Sequence, residues 1–189
     1  MTALVNLYLR IAFTIEQRLG TVLMPTLARF VFAALFALYY WTSAMTKLGG
    51  DISGLWQPTF NAYAQIFPKA AEASGYDISA ASSFEKFTIL AGTWAEFILP
   101  ALIIIGLFTR ISAAGMIGFV VVQTLTDLYG HGAITQPDTL GAWFDKDPGS
   151  LILDQRSFWI FLLLYLVAKG GGLLSVDALL RRVMPPGLR

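Results

Sequence analysis

Four long apolar stretches constrain the fold of this chain more than any other feature. Each comes close to the roughly 20 residues that a helix needs to cross about 30 Å of hydrocarbon. We predict membrane spans at about residues 26–48, 84–108, 111–129 and 151–168. Since a chain inside lipid must pair its own backbone hydrogen-bonding groups, the sequence predicts an all-α integral membrane four-helix bundle. The composition agrees, because 56% of the residues are hydrophobic and 13% are charged.

The segments flanking the spans have amphipathic patterns. In residues 1–24 apolar side chains recur at intervals of three and four, which predicts an in-plane helix in the membrane interface that ends before Pro25. Residues 26–180 are predicted to form one four-span domain. A short amphipathic segment closes this domain, with Ser175 as its N-cap, and a basic tail follows at 181–189.

The links between the spans also carry predictions. Only Thr109 and Arg110 separate the second and third spans, so these two helices should form an antiparallel hairpin. Aromatic residues between Pro58 and Pro68 predict a short helix that covers one mouth of the bundle. The glycines at 170–172 lack the order of a phosphate-binding loop and are typical of a helix C-cap.

Several classes of function are excluded by composition. The sequence contains no cysteine and one histidine, so it offers no thiolate redox centre, no iron–sulfur cluster and no histidine-rich metal site of its own. We therefore predict no metal site and no intrinsic cofactor. A net charge of +1 without a basic patch argues against a nucleic acid partner. The expected partners are the lipid bilayer and other membrane protein subunits.

The basic residues predict the orientation of the chain. An even number of spans places both termini on one side with the 109–110 link, and this side carries eight of the basic residues: Arg10, Arg18, Arg29, Arg110, Lys169, Arg181, Arg182 and Arg189. The other side carries five: Lys47, Lys69, Lys86, Lys146 and Arg156. By the positive-inside rule the termini are cytoplasmic, in the inner membrane of a bacterium.

Polar residues in the spans fall at a common depth. At about 1.5 Å of rise per residue, Glu96 lies about 21 Å from the cytoplasmic end of the second span. The same count brings five other polar residues to a similar depth on the remaining helices: Ser43, Lys47, Gln123, Asp127 and Arg156. Ionised groups inside a membrane are costly, so they need partners, water or a ligand. We expect Lys47 and Arg156 to neutralise two of the carboxylates.

This polar layer has two interpretations. It forms either a buried network that fixes the helix register without any chemistry, or a pocket for a polar headgroup. Pro100 favours the second, because its missing N–H leaves the backbone carbonyl of Glu96 without its helical donor. His131 is a further candidate ligand-binding residue, although its glycine neighbours are typical of a loop end.

The motif order resembles that of the DoxX family. The motifs are "RFVFAALFALYYWTSAMTKLGG" from residue 29, "GTWAEFILPALIIIGLFTRISAAGM" from residue 92, "QTLTDLYGH" from residue 123 and "KGGGLLSVDALL" from residue 169. The resemblance implies a four-helix membrane protein linked to redox work, such as the small membrane subunit of thiosulfate:quinone oxidoreductase. It also places six residues at family-typical positions: Lys47, Glu96, Arg110, Asp127, His131 and Asp177. A sulfur substrate site would require a second polypeptide.

Three functional hypotheses follow. The first is a membrane subunit of a respiratory or redox complex that binds a quinone headgroup, with Glu96 or Asp127 as the proton-exchanging catalytic residue. The second is a non-catalytic accessory subunit that stabilises or positions a larger complex. The third, a small proton or solute transporter, is disfavoured because four spans without inverted repeats make alternating access less natural.

Overall fold

The protein is an all-α membrane bundle. A computed structural model describes residues 2–183, and within this range every regular element is a helix. Four of the helices are long and apolar enough to cross a membrane: Met24–Lys47, Ser83–Ile105, Thr109–Gly130 and Leu151–Lys169. The predicted fold class is therefore confirmed, and most span boundaries fall within two residues of the prediction.

The elements are numbered in chain order. The nine α-helices of the described chain are α1 (Thr2–Ile15), α2 (Met24–Lys47), α3 (Phe60–Ile66), α4 (Pro68–Ala73), α5 (Ser83–Ile105), α6 (Thr109–Leu125), α7 (Pro137–Leu140), α8 (Arg156–Lys169) and α9 (Val176–Val183). A π-helical turn, Thr126–Gly130, extends α6, and another, Leu151–Gln155, precedes α8.

The four spanning helices pack as a closed ring. Helix α2 lies against α5 and α8, and α6 lies against the same two helices. The apolar core between them is rich in aromatic side chains. The rings of Phe36 and Trp159 have their centroids 5.0 Å apart, and Tyr40 packs edge-on against Phe119 at 5.8 Å. These contacts fill the middle of the bundle and leave its polar groups at the two ends.

The first two predicted segments form one continuous helix. The backbone stays helical from Thr2 to Lys47, with π-type geometry over Glu16–Leu23, so the predicted break before Pro25 was wrong. Pro25 lacks an N–H, and the π-helical turns before it accommodate this missing donor within the helix. Helix α1 buries no residue in the bundle, and its in-plane position stays a prediction.

The link between α5 and α6 lies three residues earlier in the chain than predicted and spans residues 106–108. Helix α5 ends at Ile105, its C-cap Gly106 has a φ of 73°, a left-handed conformation that favours glycine, and α6 begins at Thr109. Thr109 and Arg110 thus belong to the first turn of α6 rather than to the link. Asp177 explains the shift, because its carboxylate accepts hydrogen bonds from the amides of Phe108 at 2.7 Å and Thr109 at 2.9 Å.

A buried arginine completes this end of the bundle. Arg29 donates to the carbonyls of Ile103 at 2.8 Å, Gly171 at 3.0 Å and Leu174 at 2.6 Å, and also to that of Ile104. It therefore binds two carbonyls in the last turn of α5, where a helix has few backbone donors of its own. We call Arg29 and Asp177 the helix-end clamp.

The clamp depends on the glycine-rich segment, where two predictions are confirmed. Helix α8 ends at Lys169, and the amide of Gly170 bonds back to the carbonyl of Leu166 at 2.8 Å. Ser175 caps α9 by accepting from the amide of Ala178 at 3.1 Å. Helix α9 continues to Val183, so the predicted tail at 181–189 begins inside a helix. Its part from residue 184 onward lies outside the described residues.

Two short helices cover the opposite end. Helix α3 starts at Phe60 behind its N-cap Thr59, and it buries Tyr63 against a small apolar cluster that includes Ile89 of α5. This confirms the short helix predicted between Pro58 and Pro68.

In the segment between α4 and α5, hydrogen bonds from the hydroxyl and amide of Ser79 lower the pKa of the Asp77 carboxyl.

The clamp yields a test of stability. Replacing Asp177 with alanine removes the acceptor of two backbone amides, so the free energy of unfolding in detergent should fall by about 1 to 3 kcal/mol. Glu72→Ala deletes an exposed carboxylate on α4 and should change it by less than about 0.5 kcal/mol. Equal effects of the two variants would contradict the clamp.

Candidate functional site

A cavity lies between α5 and α6 at the end of the bundle opposite the clamp. Its volume is about 420 Å³. Six of the seven candidate residues from the sequence line it: Ser43, Lys47, Glu96, Gln123, Asp127 and His131. The depth estimated from the sequence had grouped five of these residues, all except His131, and in the structure they line one cavity.

An ion pair closes the inner wall of this cavity. The Nζ of Lys47 lies 2.7 Å from Oε2 and 2.9 Å from Oε1 of Glu96. Lys47 also donates to the hydroxyl of Ser43 at 2.9 Å, and this hydroxyl donates to Glu96 Oε1 at 3.1 Å. Lys47 and Glu96 are only 6% and 3% exposed, so the pair is enclosed by α2 and α5. The charges that the membrane would penalise thus neutralise each other.

Gln123 contributes a polar atom with no partner. Its Nε2 donates to the hydroxyl of Tyr39 at 2.9 Å. Its Oε1 is buried and has no hydrogen-bond partner among the described residues. An unsatisfied buried acceptor costs about 1 to 3 kcal/mol. A ligand that donates a hydrogen bond here would recover much of this cost.

A second ion pair links α6 to α8. Arg156 contacts the carboxylate of Asp127 and donates to the hydroxyl of Thr124 at 2.9 Å. Asp127 lines the cavity, whereas Arg156 lies outside the lining, with its guanidinium 5.9 Å from the ring centroid of Trp159. Arg156 was expected to neutralise a carboxylate and to bind the ligand. The ion pair with Asp127 confirms the first expectation, and the side chain lies outside the lining of the cavity.

His131 lies at the mouth of the cavity. Its side chain is exposed, and its Nε2 lies 3.0 Å from the backbone carbonyl of Gln65 in α3. Gln65 in turn donates to the hydroxyl of Thr46 at 3.1 Å. The short helix α3, which was predicted to cover one mouth of the bundle, therefore forms the rim of the cavity.

Small side chains make room for the cavity. Helix α5 presents Ala91, Gly92 and Ala95 to it, and α6 presents Gly115 and Gly118. These small residues lie at intervals of three or four positions, as the polar residues of the cavity do. The helical period of the sequence could therefore have identified them. A Cβ atom at Gly118 would meet no heavy atom within 4 Å.

The cavity reaches the lipid-facing side of the bundle. Phe87 and Val122 belong to its lining and are 69% and 51% exposed. Its inner end is polar and its outer walls are apolar, which suits an amphipathic ligand that enters from the bilayer. Among the described residues no group of three or more His, Asp or Glu side chains could hold a metal ion.

The backbone near Pro100 is also engaged from outside α5. The indole of Trp41 donates to the carbonyl of Phe97 at 3.3 Å. This carbonyl adjoins that of Glu96, which Pro100 deprives of its helical donor. The proline thus lies where α2 and α5 are held together by side chains.

Together, the four apolar helices and the cavity define a multi-pass membrane protein with a partly polar cavity between α5 and α6. The DoxX family model matches residues 24–127, which is more than half of the chain. The protein belongs to the DoxX family. The match spans α2 to α6 and includes Lys47, Glu96, Gln123 and Asp127. Comparisons with curated proteins and with solved structures give no significant match.

The ion pair in the cavity wall predicts strong coupling between its members. Lys47→Met leaves the Glu96 carboxylate buried without its cation, so the free energy of unfolding in detergent should fall by about 3 to 5 kcal/mol. The double variant Lys47→Met/Glu96→Met removes both charges and should recover most of this loss. Additive effects in the double-mutant cycle would show that the two residues do not interact.

Proposed function

We propose that the protein is the membrane subunit of a redox complex and that its cavity binds a quinone headgroup. One observation carries the proposal: Gln123, whose buried Oε1 lacks a donor, lines a cavity that is polar inside and apolar toward lipid. A quinol hydroxyl supplies that donor. An isoprenoid tail fits the walls near Phe87 and Val122.

The arrangement suits the proton chemistry of a quinol. Oxidation of a quinol to a quinone breaks two O–H bonds and releases two protons and two electrons. Two carboxylates line the cavity, that of Glu96 on α5 and that of Asp127 in the turn that extends α6. Each of them can take one proton. Because the chain has no cysteine, we assign the electrons to a redox centre on a partner subunit.

The proposal includes a location. The orientation predicted from the sequence assigns eight of the thirteen basic residues to one side of the membrane, and Arg29 of the clamp is among them. By the positive-inside rule this side faces the cytoplasm. The cavity is then in the outer leaflet of a bacterial inner membrane, and His131 and α3 face the periplasm.

Filling the cavity tests the ligand directly. Gly118 leaves open space beside its Cα, so Gly118→Leu should fold normally and occupy the cavity. Binding of decylubiquinone and of a short-tail menaquinone to the purified chain in nanodiscs, followed by tryptophan fluorescence, should weaken by at least about tenfold, equal to about 1.4 kcal/mol.

Helix α6 offers a matched control for this experiment. Ala114 lies one turn before Gly118, is exposed, and does not line the cavity. Ala114→Leu should therefore leave quinone binding unchanged. Equal binding by wild type and Gly118→Leu would overturn the proposal that the cavity holds the quinone.

Association with a complex requires a separate test. The tagged protein should co-purify from its native membranes with a subunit that carries a flavin, haem or other redox centre. Quinone-dependent turnover of this assembly should fall in Gly118→Leu and persist in Ala114→Leu. If both variants retain full turnover within an intact complex, the accessory-subunit hypothesis replaces the quinone-binding one.

A further inference from the structure

A second cavity lies at the clamp end of the bundle, and the proposed function does not use it. Its volume is about 310 Å³, and it lies where the start of α6 meets the glycine-rich segment and α9. Two arginines, Arg110 and Arg181, line it together with the apolar side chains of Phe108, Ile111 and Leu180. We call it the basal pocket.

The two arginines of the basal pocket have no carboxylate partner. Ion pairs among the described residues join Lys47 to Glu96 and Arg156 to Asp127, and neither pair includes Arg110 or Arg181. The NH1 of Arg110 donates to the carbonyls of Val167 at 2.7 Å and Ala168 at 2.6 Å. These bonds fix the position of its guanidinium at the end of α8, and no carboxylate among the described residues forms an ion pair with it.

The acidic residue of the basal pocket is already engaged. Both oxygens of Asp177 accept hydrogen bonds from the start of α6, including one from the hydroxyl of Thr109 at 2.7 Å. Arg181 follows one turn later on α9, and its Nε lies 3.3 Å from the backbone carbonyl of Asp177. The pocket therefore carries two cationic groups against one occupied carboxylate.

The apolar side chains supply the second half of the site. Phe108 and Ile111 are 59% and 74% exposed, and they lie at the start of the apolar helix Thr109–Gly130, which is long enough to cross a membrane. Phe108 has a φ of 49°, an uncommon conformation for a side chain of this size, which the bond from its amide to Asp177 stabilises. A phospholipid has an anionic phosphate joined to apolar acyl chains. The basal pocket offers cationic side chains for the first part and apolar side chains for the second.

We infer that the basal pocket binds an anionic phospholipid, with its phosphate between Arg110 and Arg181 and an acyl chain against Phe108, Ile111 and Leu180. The lipid bridges α6, α9 and the end of α8. This site is independent of the quinone cavity at the other end of the bundle.

Native mass spectrometry of the full chain tests the inference. Phosphatidylglycerol and phosphatidylcholine with identical acyl chains are added to the protein in detergent. Wild type should retain phosphatidylglycerol in preference to phosphatidylcholine. Arg181→Gln should reduce this preference by about fivefold, equal to the roughly 1 kcal/mol expected for one arginine at an anionic headgroup.

Arg182 provides the matched control, because it is adjacent in sequence, carries the same charge and does not line the basal pocket. Arg182→Gln should keep the preference. A wild type without preference, or equal losses in both variants, would overturn the inference. Glycerophosphoglycerol has the same phosphodiester as phosphatidylglycerol without acyl chains and should bind more weakly; equal binding would show that the apolar wall contributes nothing.

Discussion

The buried ion pair between Lys47 and Glu96 is the interaction on which the polar end of the bundle depends. Two charges placed singly in a membrane would destabilise the fold, but at 2.7 Å they neutralise each other and join α2 to α5. The pair between Arg156 and Asp127 does the same for α8 and α6. All four spanning helices are therefore joined in two pairs at this depth, and the aromatic core packs below them.

The same pairing explains why this end of the bundle suits a ligand. Lys47 and Arg156 satisfy the carboxylates, whereas Gln123 bonds to Tyr39 through one amide atom and leaves the other without a partner. A purely structural network would be expected to satisfy this oxygen, since a buried acceptor is costly. The small residues of α5 and α6 line the same cavity as Gln123. An unmet acceptor, available volume and access from lipid coincide at one place, and this coincidence favours a pocket over a simple register-fixing network.

The sequence predicts much of this arrangement because helices follow simple rules. A rise of about 1.5 Å per residue is enough to bring Ser43, Glu96 and Gln123 to one depth. The length of the apolar stretches predicts the spans. Neither property shows which side chains of neighbouring helices contact each other. Arg156 was therefore expected to line the pocket, whereas it lies outside the lining and pairs with Asp127.

Contacts between distant parts of the chain were also beyond the sequence. The link between α5 and α6 is set by Asp177, 68 residues beyond Thr109, and no local pattern indicates that contact. Pro25 likewise suggests a helix end, yet the backbone stays helical on both sides of it, with π-helical turns over Glu16–Leu23. The rim formed by Gln65 and His131 depends on how a short helix folds back over the bundle, which is decided by tertiary packing.

Photo-crosslinking with an azido-quinone tests the central claim most directly. The full chain in nanodiscs of native lipid is labelled, digested and mapped by mass spectrometry. The account predicts labels on the faces of α5 and α6 that line the cavity, around Gly92 and Gln123, and their loss when excess unmodified quinone competes. Labels spread evenly over the lipid-facing residues of all four spans, unaffected by competitor, would contradict it.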